Sequence, residues 1–186
     1  MMRCTSRLFA RAGIPIWYTQ GFNPHPYMVF CAALSVGTEG ENELLDIKME
    51  KVPEFAELIE KLNASAPQGF SFKEAYEPVT DFKNIVRASY SLTFSDEDAE
   101  VFAGFLAAEE IKAEKKTKRG STTVDFKEEM TVDCDGNTFY ITLPCGVDRV
   151  ISPNLLIDTF NTACGKDVVP AVKRLEFFTA NGEIFR

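Results

Sequence analysis

The sequence predicts an α+β protein made of two related ferredoxin-like α/β sandwich halves, the first lacking its opening strand. Three observations lead there. Each half mixes alternating apolar strands with two amphipathic helices. The second half runs β-α-β…β-α-β, the ferredoxin-like order. The first half runs α-β-β-α-β, the same plan short of one strand, which is read as absent from the chain and as leaving an open sheet edge. The halves are expected at 1–77 and 86–186 with a linker at 78–85, and 186 residues suit two small units in contact.

Residues 2–12 read as a helix, with Leu8, Phe9 and Ala12 toward a core and Gly13 as the stop. Ile14 to Tyr18 is extended, and Thr19 to Tyr27 is a Pro-punctuated loop. Met28 to Val36 is a continuous apolar run, as in a strand buried on both faces. Leu45, Ile47 and Met49 alternate against Asp46 and Lys48, as a strand requires. Phe55, Leu58, Ile59 and Leu62 recur at helical spacing behind Pro53, which predicts a helix over 53–63. Phe70 to Tyr76 reads as one more strand, and Glu77 to Asn84 as a connection.

In the second half Tyr90, Leu92 and Phe94 alternate as a strand. Ser95 caps a helix whose first turn holds Asp96, Glu97 and Asp98, where the helix dipole favours anions. Strands are expected at 110–116, 122–126 and 129–133. Asp135-Gly136 marks a hairpin turn, and Phe139, Ile141 and Leu143 form the returning strand. Ser152 and Pro153 open a last helix that Gly165 closes, and 172–179 is the final strand.

Composition narrows the function classes. The net charge of −8 argues against coating by nucleic acid over the whole surface. The five cysteines, Cys4, Cys31, Cys134, Cys145 and Cys164, are widely spaced and form no C-x-x-C pair or C-x3-C-x2-C triplet. With one histidine in the chain, no metal site is expected, and the thiols are read as reduced. No apolar run approaches the roughly 20 residues of a membrane span. Met1 to Arg11 has no signal-peptide core, so the expected location is the cytoplasm. Phosphate-binding loops, nucleophile elbows and paired-carboxylate sites have no counterpart in the sequence, and no catalytic residue is assigned.

The sharpest segment runs from Tyr18 to Tyr27. Tyr18, Gln20, Gly21, Asn23, His25 and Tyr27 combine two phenols, two amides, an imidazole and a permissive turn. Pro24 and Pro26 hold Asn23 and His25 extended. Such a set suits binding of a polar ligand, a nucleotide or a partner. The alternatives are a rigid structural loop and a general base at His25. Residues 1–38 hold no Asp or Glu. Arg3, Arg7 and Arg11 recur every four residues and share a helix face. A second basic cluster, Lys115, Lys116, Lys118 and Arg119, sits at an expected hairpin tip. Both clusters fit phosphate contacts. Their plainer alternatives are a solvated or acid-paired helix face and edge-strand lysines that deter aggregation. Glu39, Glu41, Glu43 and Asp46 are read as a solvated turn.

The string from Tyr18 to Tyr27, with Ala33-Leu-Ser-Val-Gly37, Leu45-Asp46-Ile47, the basic hairpin before Asp125 and Ser152-Pro-Asn-Leu-Leu156, resembles the radical-SAM-linked family of uncharacterised bacterial domains. The resemblance implies a partner radical-SAM protein, with the iron–sulfur cluster and S-adenosylmethionine in that partner and no cofactor in this chain. It carries no catalytic residues over. The expected function is a non-catalytic accessory or substrate-recognition module, with RNA as the preferred substrate. The alternatives are a small stand-alone enzyme using the 18–27 loop and a structural dimerisation domain. No contact with a membrane is expected.

Overall fold

The computed structural model describes residues 2–117 and 120–186, and for 116 and 117 the backbone alone. The protein is of the α+β class, with five α-helices and both parallel and antiparallel strand pairs among the described residues. It forms two compact units, Met1–Cys31 with Leu44–Val79 and Ala32–Glu43 with Thr80–Arg186.

In the first unit, α1 (Met2–Arg11) buries Thr5, Leu8 and Phe9, while Arg3, Arg7 and Arg11 stay exposed. Strands β1 (Met28–Phe30) and β3 (Leu45–Ile47) pair antiparallel, with Met28 opposite Ile47 and Phe30 opposite Leu45. Helix α2 (Phe55–Ser65) contributes Leu58 and Leu62 to a core that also holds Leu8, Phe9, Ile14, Ile16 and Met28. Leu8, Phe9, Met28, Leu58 and Leu62 are positions that the sequence pattern assigns to the interior, and Ile14 and Ile16, read only as extended, join them.

Two strands read from the sequence come out differently. The apolar run at 28–36 forms a strand only as far as Phe30, because the chain leaves the first unit after Cys31. The Cys31 N–H donates to the Leu44 carbonyl at 3.2 Å, which closes the neck of that excursion. Residues 70–76 form no strand. The Asn63 side chain takes both backbone groups of Phe72, at 2.8 and 2.9 Å, and Phe72 meets Phe9 edge-on. The segment is thus held by an amide and a ring rather than by a neighbouring strand.

The second unit follows the ferredoxin order. A 3-10 turn (Phe82–Asn84) within the expected linker leads into β4 (Ile85–Thr93). Then come α3 (Asp96–Leu106), the hairpin β5 (Lys112–Thr117) and β6 (Gly120–Asp125), and the short α4 (Phe126–Glu129). Strands β7 (Thr131–Asp135) and β8 (Thr138–Pro144), helix α5 (Pro153–Cys164) and β9 (Ala171–Thr179) complete it. The sheet order is β2-β9-β4-β8-β7, where β2 (Thr38–Gly40) lies on the excursion. Without β2, this is the split βαβ arrangement, with antiparallel neighbours throughout. Ser95 caps α3 through the Asp98 N–H, and Gly165 ends α5 at φ 62°, where a side chain would be strained. Phe102 of α3 and Phe160 of α5 pack on each other and on Phe94 and Phe139, so the helices cover the Leu92–Phe139–Ile141 face.

Strand β2 pairs parallel to β9 and is clasped by Arg174, which is 3% exposed. The guanidinium forks onto both Glu43 oxygens and donates to the carbonyls of Ala33 at 3.1 Å and Ala32 at 3.2 Å. One side chain therefore holds both ends of the 32–43 excursion. Burial opposes its charge, but the hydrogen bonds and charge of Glu43, with help from Tyr90, outweigh that and hold the guanidinium above its ordinary value. Burial pushes the Tyr90 phenol up to about 12, aided by Cys145 and opposed by Arg174. Glu39 and Glu41 meet Lys173 at 3.5 and 3.6 Å. The segment read as a solvated acidic turn is thus bound to β9 by charge.

Two outcomes follow from the clasp. Glu43→Ala strands a buried guanidinium and should cost about 3–5 kcal/mol in urea unfolding, part of which Arg174→Met added to it should restore. A cost below about 1 kcal/mol would mean that the pair carries nothing. Tyr90 is held neutral in the fold, so its contribution is complete below pH 10 and is lost as pH rises toward 12, by a few kcal/mol. Unfolding free energies measured across pH 9–12 should show this slope in the wild type, and Tyr90→Phe should make it shallower.

Candidate functional site

The segment around Tyr18–Tyr27 is a hairpin on a closed base. Trp17 N–H donates to the Lys48 carbonyl at 2.8 Å, Lys48 N–H to the Tyr27 carbonyl at 3.1 Å, and Tyr27 N–H to the Trp17 carbonyl at 3.0 Å. Three chain segments meet in this ring of three backbone bonds. The Lys48 ammonium lies 4.0 Å from the centre of the Trp17 ring, and Trp17 meets Tyr27 edge-on at 6.0 Å. Beneath it, Ile16 bridges to Met49 and Glu50 N–H donates to the Pro15 carbonyl at 3.0 Å. Buried Ile14, Ile16 and Met28 tie the base to the core.

Above the base, Tyr18 bridges to Pro26, and Thr19 N–H donates to the His25 carbonyl at 2.9 Å. The Thr19 hydroxyl accepts the His25 N–H at 3.1 Å and lies 3.0 Å from ring Nδ1. The Asn23 carbonyl lies 3.3 Å from the same nitrogen. Gly21 turns the tip at φ 132°, a value that side chains rarely adopt. Phe22 stands wholly in solvent, with relative exposure of 105%. Gln20, Asn23 and His25 are exposed beside it, and Tyr18 and Tyr27 are nearly half exposed. The structure thus brings the six sequence-identified residues onto one projection. Sequence reading passed over Phe22 as a functional group and Thr19 altogether. The available signal was an aromatic residue between Gly21 and Asn23, where a turn can bury nothing.

The basic residues are placed as follows. Arg3 and Arg7 are exposed on α1. Arg11 donates to the Ser65 carbonyl at 2.7 Å, so it caps the end of α2. Lys115 donates to the Val150 carbonyl from β5. Lys116 is described in its backbone alone, and Lys118 and Arg119 lie outside the described residues. The first unit carries seven Lys and Arg against seven Asp and Glu, and the second thirteen against twenty-one, so the net charge of −8 belongs to the second.

The sheet face of the second unit turned away from α3 and α5 is polar. Across it, Ser91, Tyr140 and Asp133 form one row, and Thr93, Thr138 and Asp135 the next. A groove at its end places Arg87 among Thr131, Thr142 and Thr179, with the guanidinium on the carbonyls of Glu129 at 2.6 Å and Thr142 at 3.1 Å. No acid–base pair lines that groove. Among the described residues, no three His, Cys, Asp or Glu side chains are grouped to hold a metal ion.

A family described as "Uncharacterized protein conserved in bacteria (DUF2344)" matches residues 1–153, and the chain belongs to it. No curated protein and no solved structure matches the chain.

Base and tip should separate in mutagenesis. Phe22→Ala should leave the unfolding free energy within about 0.5 kcal/mol of wild type, because the ring buries nothing. Trp17→Ala removes the ring under Lys48 and should cost about 2 kcal/mol. Chemical denaturation of the two variants checks the contrast, and an equal cost would place Phe22 in packing. For the thiols, burial pushes Cys145 up, whereas Cys4, Cys134 and Cys164 are exposed. An aromatic disulfide reagent should therefore label those three quickly and Cys145 only on unfolding.

Proposed function

Starting from membership of this family, we propose that the chain is a recognition module with no chemistry of its own, working in the cytoplasm beside a radical-SAM enzyme. That partner would carry the iron–sulfur cluster and S-adenosylmethionine. The observation that carries this reading is the 17–27 hairpin, whose base is bonded shut while its tip holds an aromatic ring, two amides and an imidazole in solvent. A rigid projection of this kind loses little entropy on binding, and its exposed ring is the sort of group that anchors an interface or stacks on a base. The free thiols of Cys4, Cys134, Cys145 and Cys164 suit a reducing compartment.

Single-stranded RNA is the substrate this reading favours. Stacking on Phe22 and hydrogen bonds from Gln20 and Asn23 suit unpaired bases. Arg3 and Arg7, in a stretch without acids, offer phosphate contacts. The open sheet face of the second unit suits RNA poorly, because Asp133 and Asp135 flank its one central ring, Tyr140. Catalysis by His25 draws no support from the tip, where the ring meets a hydroxyl and a carbonyl rather than a carboxylate.

The test is a titration of bulk bacterial RNA at two ionic strengths. The wild type should bind at low salt and weaken steeply as salt rises. Arg3→Glu with Arg7→Glu should lower affinity at least about tenfold and flatten the salt slope, with Arg11 left in place because it caps α2. Phe22→Ala should lower affinity and keep the slope. Absence of binding at low salt would overturn the RNA reading and favour a protein substrate.

A further inference from the structure

The His25 ring is fixed on one side only. Its Nδ1 lies between the Thr19 hydroxyl at 3.0 Å and the Asn23 carbonyl at 3.3 Å, and Nε2 has no partner among the described residues. These two neighbours are not equivalent. A carbonyl oxygen only accepts, so the Asn23 contact is favourable only if Nδ1 carries a proton. The Thr19 hydroxyl serves in either sense. It already accepts the His25 backbone N–H at 3.1 Å, and its second lone pair is open to Nδ1–H. In the opposite tautomer, a bare Nδ1 would face the lone pairs of the Asn23 carbonyl at 3.3 Å. Only the Thr19 proton would offset that repulsion.

We infer that Thr19 and the Asn23 carbonyl hold the neutral His25 ring as its Nδ1–H tautomer, so that the tip offers the Nε2 lone pair as an acceptor for an N–H donor on its ligand. Thr19 is then a positioning residue. It sets the backbone of His25 through one hydrogen bond and the ring through another. Gln20 and Asn23 present amides of both polarities nearby, whereas His25 in this state can only accept from a ligand. In RNA the matching groups are the amino N–H of adenine, cytosine or guanine and the imino N–H of uracil or guanine. The ligand half of this inference rests on the recognition reading above, whereas the tautomer stands by itself.

Two measurements on the full chain test the two halves separately. Long-range proton–nitrogen NMR of the neutral ring should show Nδ1 as the protonated, pyrrole-type nitrogen and Nε2 as the pyridine-type one. Thr19→Val should raise the share of the Nε2–H form. A wild-type ring that is mainly Nε2–H would overturn the assignment. Short adenine, cytosine and uracil oligoribonucleotides are then compared with counterparts whose base N–H groups are blocked by methyl groups. Blocking should weaken binding of the preferred base about tenfold in the wild type and leave His25→Phe unaffected. Equal affinity for blocked and unblocked oligomers would overturn the ligand half. No binding of any oligomer by a protein with an Nδ1–H ring would refute the RNA reading and with it the ligand half, leaving the tautomer assigned.

Discussion

The ring of three backbone hydrogen bonds among Trp17, Tyr27 and Lys48 is the constraint on which the first unit's projection depends. Each of these residues both donates to and accepts from its neighbours in the ring. Three strand segments are fixed together at a point where no long ladder exists, since β1 and β3 are three residues each. The closed cycle pairs three backbone N–H groups with three carbonyls that no extended ladder satisfies. The Trp17 ring under the Lys48 ammonium adds a side-chain tie at the same place. With the base closed, the residues above it need only the Thr19–His25 pairing to stand in register. A tip that buries nothing can then be held in shape, which a flexible loop of the same composition cannot achieve.

The second unit meets a different demand. Its βαββαβ core is stabilised by phenylalanines packed face to face and edge to face between the sheet and α3 and α5. Its charge problem is solved on β9. Arg174 and Lys173 neutralise the acids of the 32–43 excursion and so seat β2 at the sheet edge. A charge that is nine-tenths buried survives there because Glu43 matches its fork and two carbonyls take further N–H groups. The acid-free stretch at the start of the chain belongs, as far as Cys31, to the unit in which Lys and Arg equal Asp and Glu in number.

The parts of this fold set by local pattern were legible in the sequence. Helix α3 begins at its Ser95 cap, α5 lies between Ser152 and Gly165, and the strand around Tyr90, Leu92 and Phe94 alternates as burial requires. What distant partners decide was not legible. Phe70 to Tyr76 has the composition of a strand, but Asn63 takes its backbone groups first. The run from Met28 reads as one buried strand because nothing local reveals that the chain departs at Cys31. Glu43 and Arg174 are 131 residues apart, and no periodicity links them. At the site, residue types such as His25 and Asn23 drew attention by their chemistry. Thr19 did not, because its importance lies wholly in geometry.

In the proposed recognition role, the hairpin tip is the surface that meets the ligand. Ultraviolet cross-linking of the full chain to cellular RNA, followed by tryptic digestion and mass spectrometry, tests it most directly. Because no Lys or Arg lies between Arg11 and Lys48, the whole hairpin falls in one peptide, residues 12–48. Nucleotide adducts are expected on that peptide, centred on Phe22 and its neighbours. Adducts confined to Tyr140 and the sheet of the second unit, or none on peptide 12–48, would contradict that role.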